Sequence, residues 1–570
     1  TIAPFTAANV DEKYFQSGAS NPNGKLSQYD SWSPEQKNAA TPASMIAFLR
    51  GQNQYEARVD DEHEGTENRL YRARDHVLGD IVDSSPTYVQ QLPMRYIDAG
   101  YSTFVASQTM RNGMVYVGAN DGMLHAFDAQ TGKEIWAYVP QMLHPTLYKL
   151  ADAAYADNHR YYVNGPISIG DVYDGSSWHT ILVAGLGLGG KGYFALDVTD
   201  PTRPAALWEF TDANMGYSYG NPAITKRQED GKWVVLFASG YNNVNTGSTA
   251  DEAAGDGKGH LFVLDAMSGA KLSDLVTDAV TDPNLSGIAR VNGWVLDPLL
   301  DNSTQYVYGG DLAGNLWRFD INNDEVLKLG QTSTAGAQPI TVRPEMGGVR
   351  DSTGTLHRVV YFATGRYLGS SDLSGTSVAE KSPQALYAIK DSNKSLNVLK
   401  DNTNIVAQTL TMADGVPSIT PANSKPVNWV SNDGWQVQLP AGERVNIDPR
   451  LQLGTVAFTA NSPVDDYCSM GGSTWTYALD FKTGAAVSGS NGRVGFAHDA
   501  NNIATGMRLL LVDGALVAAV SVAAESLVGG DTGGGEGNSP SNSGGLLFDQ
   551  TSQLGGTTGQ IRRVGYTEIN

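Results

Sequence analysis

Carboxylates interleaved with neutral oxygens are the groups in this sequence best suited to chemistry, and that chemistry would be cation binding. Asp320-Ile-Asn322-Asn323-Asp324-Glu325 places oxygen donors at its first, third and fifth positions, as the start of a calcium loop does. Such a loop also needs Gly at the sixth position and an acid at the twelfth, where Glu325 and Gln331 stand. The stretch therefore reads as a turn joining two strands. Asp60-Asp61-Glu62-His63-Glu64 concentrates charge without fixing its geometry and reads as a solvated loop. Gly185-Leu-Gly-Leu-Gly-Gly-Lys191-Gly192 invites comparison with a phosphate loop, but the Walker spacing fails. No Ser or Thr follows Lys191, and a strand follows instead of a helix, so these glycines fit a tight inter-strand connection. His125 and His159 fall in or beside strands and read as hydrogen-bond partners. No residue stands out as a general base.

These groups must be positioned by strands. Val115-Tyr-Val117, Leu124-His-Ala-Phe127 and Ile135-Trp-Ala-Tyr138 are separated by the turn signals Asn120-Asp121-Gly122 and Thr131-Gly132, which tolerate the positive φ of hairpin turns. One such meander leaves a bare face and two edges, so it implies siblings. They occur at Gly192–Asp197 with Leu207–Phe210, at Gly259–Asp265 with Ser268-Gly269, and at Tyr308–Asp320. Looser copies stand at Gln384–Ile389 and at Thr474–Asp480 with Thr483-Gly484. The shared pattern is Leu-Asp, then Thr/Ser-Gly, then often a Trp strand. Recurrence of this kind predicts an all-β propeller with long inserted loops and few helices. The repeats are spaced more widely than a minimal blade of about 40–50 residues, so insertions are expected between them.

Composition agrees. Sixty-four Gly and 24 Pro suit a turn-dense β protein. A formal charge of −21 excludes the basic stripe that a nucleic-acid binder needs. No run of about 18 apolar residues reads as a membrane-spanning helix. The single cysteine, Cys468, allows no internal disulfide. Residues 1–75 read as an irregular N-terminal extension, expected to continue a longer upstream region, with helix signals at Ser33-Pro34-Glu35 and at Ala43–Gly51. Residues 76–528 form the expected propeller, 529–545 a Gly/Ser-rich linker, and 546–570 a terminal strand. That strand either closes the propeller or pairs with a partner's sheet.

Several stretches, in order and combination, resemble the C-terminal domain of the PilY/PilC family of type IV pilus tip-associated proteins. They are Leu78-Gly-Asp-Ile-Val-Asp-Ser-Ser-Pro86, Gly118-Ala-Asn-Asp-Gly-Met-Leu-His-Ala-Phe127, His159-Arg-Tyr-Tyr-Val163 and Ala195-Leu-Asp-Val-Thr-Asp-Pro201. Tyr308-Gly-Gly-Asp-Leu-Ala-Gly-Asn-Leu-Trp-Arg-Phe-Asp320 and Gly434-Trp435 with Gly442-Glu443-Arg444 complete the set. The resemblance implies a seven-bladed modified propeller, exported to the pilus tip or outer surface and non-enzymatic. It implies pilus assembly, opposition to retraction, adhesion, docking on minor pilins, and contact with a host or abiotic surface through an N-terminal region. It also implies a calcium loop before the Tyr-x-Gly-Asp strand, and the matching positions are Asp297, Leu299, Asp301, Ser303 and Gln305. Leu299 and Gln305 replace expected acids, so Asp297, Asp301, Ser303 and Gln305 are candidate Ca²⁺ ligands in a degenerate loop that otherwise reads as an ordinary hairpin. No Arg-Gly-Asp occurs, since Gln52 follows Arg50-Gly51. Asp128-x-x-Thr131-Gly132-x-x-x-Trp136 also matches quinoprotein dehydrogenase propellers, which leaves a pyrroloquinoline quinone and calcium enzyme, or a propeller scaffold, as alternatives.

Overall fold

The Asp-x-x-Thr/Ser-Gly pattern is a turn that fastens itself. Asp128, Asp265 and Asp480 each end a strand, and each turns Oδ1 back onto Thr131, Ser268 or Thr483. The carboxylate accepts from that residue's backbone N–H and its hydroxyl at 2.7–2.9 Å. The glycine that follows sits at φ of 66–68°, the left-handed region that favours glycine. At Gly484 the side is closed as well: a Cβ there would meet Trp435 Cδ2 at 2.5 Å. Trp435 donates its indole N–H to the Phe481 carbonyl at 3.1 Å. Trp208 donates likewise to Ala266 at 3.0 Å and Trp136 to Pro201 at 2.8 Å. The Trp of one repeat thus docks on the turn of the next, which is why the motif carries both residues.

The computed structural model describes residues 2–58, 69–243, 255–278, 282, 285, 287–373, 382–463, 472–498, 503–512, 515–522 and 553–554. Two compact units divide the chain, within Thr1–Asp274 and within Leu275–Tyr566. In the first, helix α1 (Pro34–Ala39) and helix α2 (Pro42–Leu49) start as their sequence requires. Each has Pro in its first turn, with capping boxes of Ser33 with Gln36 and Thr41 with Ser44. Met45, Ile46, Phe48 and Leu49 bury against Phe15, Leu26, Trp32 and Tyr71.

Three sheets of strands in chain order follow in this unit. They are β1 to β4 (Thr87–Val89, Met114–Ala119, Met123–Asp128, Glu134–Tyr138), β5 to β8 (Ile167–Tyr173, Trp178–Gly185, Tyr193–Asp197, Ala205–Phe210) and β9 to β12 (Ala223–Arg227, Trp233–Ala238, His260–Asp265, Lys271–Val276). The expected turn at Asn120-Asp121-Gly122 joins β2 to β3 in the register Ala119 to Met123. Helix α3 (Tyr101–Ser107) and helix α4 (His144–Leu147) interrupt the strand pattern. The inner strands β6, β7, β10 and β11 are buried on both faces, and this sets their near-continuous apolar sequences.

In the second unit, Ile288–Gly293, Tyr306–Asp311, Asn315–Asp320 and Glu325–Gln331 form one four-stranded sheet. Glu345–Arg350, Leu356–Ala363, Ala385–Lys390 and Gly434–Gln438 form the next, with Ile405–Gln408 added in parallel to the last. That parallel strand hides the repeat spacing, because its crossover separates strand from neighbour in sequence. Thr455–Pro463 and Gly472–Asp480 centre a further sheet, and Ala504–Val512 pairs with Ala515–Val522. Trp435, Tyr361, Tyr387, Phe458 and Tyr477 lie in this unit's core. Four α-helices occur among the described residues, as the predicted shortage of helix requires.

Candidate functional site

The loop between Ile288–Gly293 and Tyr306–Asp311 carries the candidate calcium ligands. Its turn is closed by backbone: the Asp297 carbonyl accepts from the N–H groups of Leu300 at 3.0 Å and Asp301 at 2.9 Å. Ser303 donates its hydroxyl to Asp301 Oδ1 at 2.6 Å, which brings those two side chains together. Thr304, fully buried, donates to the Trp294 carbonyl at 2.9 Å and pins the loop's return. Gln305 is drawn elsewhere. Its amide donates to Asp320 Oδ2 at 2.9 Å, in the turn after the neighbouring strand. Leu299, where an acid was expected, is 39% exposed between Leu296 and Leu300, which are exposed too. The loop therefore offers two carboxylates and one hydroxyl. A Ca²⁺ ion taking six to eight oxygens would have to complete its shell from backbone carbonyls and water.

The second candidate loop is a turn, as its sequence indicated. Asp320 Oδ1 accepts from the N–H groups of Asn322 and Asn323, and Asp320 Oδ2 from the Asn323 amide. These bonds hold the Asp320 carboxyl below its ordinary range against the opposing pull of burial. Its oxygens are taken up by these backbone and side-chain N–H groups and by the Gln305 amide, not turned to an open point. Among the described residues, no group of three or more His, Cys, Asp or Glu side chains converges.

His125 explains why carboxylates near histidine do not make a metal centre here. Its Nδ1 bonds Glu134 Oε1 at 2.8 Å and its Nε2 bonds Asp121 at 3.1 Å, so the carboxylates lie on opposite edges of the ring. His260 is held the same way by Asp274 at 2.8 Å and Asp256 at 2.9 Å, and His179 by Asp197 at 2.7 Å and Asp174 at 3.2 Å. Burial opposes the charge on His125 and His260, but the flanking carboxylates outweigh it and raise both pKa values. For His179 the bond to Asp197 is the larger cause of the rise. The expected role of His125 as a structural partner holds, but both its acidic partners escaped the sequence reading. The repeated spacing Asp121-Gly122-x-x-His125 and Asp256-Gly257-x-x-His260 was the signal.

His159 is a structural partner too, bonding Asp80 at 3.1 Å. Asp80 also accepts from Asn120 at 2.8 Å, Gly79 donates to Asp121, and Asp83 and Asn164 exchange hydrogen bonds. The motif at Leu78–Pro86 is thereby tied down by its polar residues, with Val77, Leu78, Ile81 and Val82 exposed. The glycine-rich stretch joins β6 to β7. A Cβ on Gly189 would lie 1.7 Å from the Tyr162 carbonyl, so backbone, not phosphate, fills that space. A groove of about 540 Å³ is lined by Lys400, Asp401, Gln408, Thr411, Gln436 and Gln438. Its one carboxylate supplies no acid–base pair. The acidic run 60–64, Cys468 and the 529–545 linker lie outside the described residues, as does the strand expected at 561–569.

Repeated meanders with Trp-docked turns define a β-propeller protein. A family model described as the PilY1 beta-propeller domain matches residues 78–414. The chain belongs to this PilY1 propeller family. It is 34% identical over 506 residues to the type IV pilus biogenesis factor PilY1 of Pseudomonas aeruginosa, covering 78% of this chain and 41% of that protein. It is 35% identical over 473 residues to a PilY1 homolog of Xylella fastidiosa, covering 78% of this chain and 35% of that protein. The chain thus spans about two-fifths or less of these curated relatives. The crystal structure of the P. aeruginosa PilY1 C-terminal domain aligns with a TM-score of 0.57 at 26% identity, over 77% of this chain and 98% of that one.

Proposed function

We propose that this chain is the propeller region of a non-enzymatic type IV pilus tip protein. In this reading it promotes pilus assembly, opposes retraction, docks on minor pilins and supports adhesion from the outer cell surface. The observation that carries the reading is membership of a family whose relatives are named for pilus biogenesis. Asp297 and Asp301 are the proposed charged ligands of a weak Ca²⁺ site, with Ser303 and backbone carbonyls beside them. Gln305 reaches that site only by leaving Asp320. The test is a host deleted for its own family member and supplied with the full-length gene. Restored surface pili, with the protein at fibre tips by immunogold and minor pilins in its pull-down, are the expected results. Normal piliation without the gene, or label spread through the cytoplasm, would overturn the reading.

A further inference from the structure

Two arginines in the second unit share too few negative charges. Arg318, on Asn315–Asp320, and Arg358, on Leu356–Ala363, both reach the carboxylate of Asp391. They do so at 3.3 and 3.5 Å, well beyond the roughly 2.7–2.9 Å of a close charge-assisted bond. Asp391 is already occupied: Tyr308 donates its hydroxyl to it at 2.7 Å and Asn393 its backbone N–H at 2.8 Å. Both guanidiniums then turn to a neutral acceptor, the side-chain oxygen of Asn393. The next carboxylate on the same strand, Asp320, is turned to Gln305 and Asn323. The buried Nε–H groups of both arginines find no acceptor among the described residues.

The arrangement is held rigid. Both guanidiniums lie over the ring of Tyr306, at 4.7 and 4.4 Å, so they stay side by side despite their like charge. Arg318 is 9% exposed while Arg358 is 26% exposed, and Asn393, which both touch, is exposed, so the cluster opens to solvent on one side. Two guanidiniums against one carboxylate leave one uncompensated positive charge in a protein whose net charge is −21. An uncompensated charge in a mostly buried site is costly, and a bound anion relieves it.

We propose that Arg318 and Arg358 form a binding site for a carboxylate side chain of a partner protein. The planar, fork-shaped donors match a carboxylate, and the single excess charge matches a monoanion better than a phosphate dianion. The site does not depend on the pilus reading.

Propionate, a monoanion at neutral pH like an Asp or Glu side chain, serves as the carboxylate probe and inorganic phosphate as its competitor, titrated calorimetrically into the intact protein at constant ionic strength. Saturable propionate binding is expected, weakened at least about tenfold in Arg358→Gln, the loss of one charged hydrogen-bond donor. Arg358→Lys, which keeps the charge but loses the fork, keeps the test alive if Arg358→Gln does not fold, and should weaken binding severalfold. No saturable propionate heat, or unchanged affinity in a folded Arg358→Gln or in Arg358→Lys, overturns the site. Phosphate binding more tightly than propionate overturns the carboxylate assignment.

Discussion

Glu443 is an acid whose surroundings favour its neutral form. It is buried, and the loss of solvent pushes its pKa up to about 7, while the hydroxyl of Tyr477, donating at 2.6 Å, pulls weakly the other way. A carboxyl raised in the folded protein is most favourable to folding while protonated, so its contribution falls as pH rises from 4.5 through about 7. Glu443→Gln keeps an oxygen for Tyr477 and removes the charge. It should be near neutral at pH 4.5 and stabilise at pH 8 by up to about 3 kcal/mol, read by urea unfolding. Equal effects at both pH values would refute this. Gly484→Ala makes the opposite case. It places a Cβ against Trp435 at a left-handed φ, so unfolding should become easier by about 1–3 kcal/mol, with folding retained. A neutral Gly484→Ala in the same assay would mean that the turn does not dock as described.

At the scale of elements, the strands and their turns were legible because their signals are local. Asn120-Asp121-Gly122 and the Asp-x-x-Thr/Ser-Gly turns fix φ and hydrogen bonds within a few residues, and the Ser33-Pro34 start of α1 does the same. What stayed hidden is non-local. The parallel strand Ile405–Gln408 pairs with Gly434–Gln438 only after a long excursion, and Arg318 and Arg358 meet Asp391 across gaps of 73 and 33 residues. No spacing rule reports such encounters. The candidate calcium loop lies between these cases: its residues are contiguous, yet Gln305 leaves them for Asp320, a contact set by strand register. Calorimetric titration of Ca²⁺ should give a dissociation constant weaker than about 10⁻⁴ M, since only two carboxylates are offered. Micromolar binding that vanishes in Asp301→Ala would show that the loop rearranges around the ion.

For the whole molecule, the paired charges act together on acid and base stability. His125, His179 and His260 have raised pKa values, so what they add to stability is complete below 6.5 and is lost as pH climbs through their folded values. Asp197 and Asp256 show the reverse. Burial lifts them, the bonds from His179 and His260 outweigh it, and their net pKa values are lowered. Their contribution is present above 3.8 and is lost as pH falls through the folded values. Self-repulsion adds to the first effect, because a net charge of −21 at pH 7 shrinks as pH approaches the isoelectric point near 4.8. All three trends place greatest stability in the mildly acidic range, between about pH 4 and 6. The melting temperature at fixed ionic strength should therefore fall from pH 6 to pH 8, and again from pH 4 to pH 2.5. Added salt should recover part of the loss at pH 8, by screening repulsion among exposed carboxylates, and leave the histidine share in place. Replacing His125, His179 and His260 together by Gln should reduce the remaining slope between pH 6 and 8 in high salt to the share that Glu443 contributes up to about pH 7. A melting temperature that rises from pH 6 to pH 8 would show that the carboxylate–histidine–carboxylate groups do not carry the charge their geometry assigns them.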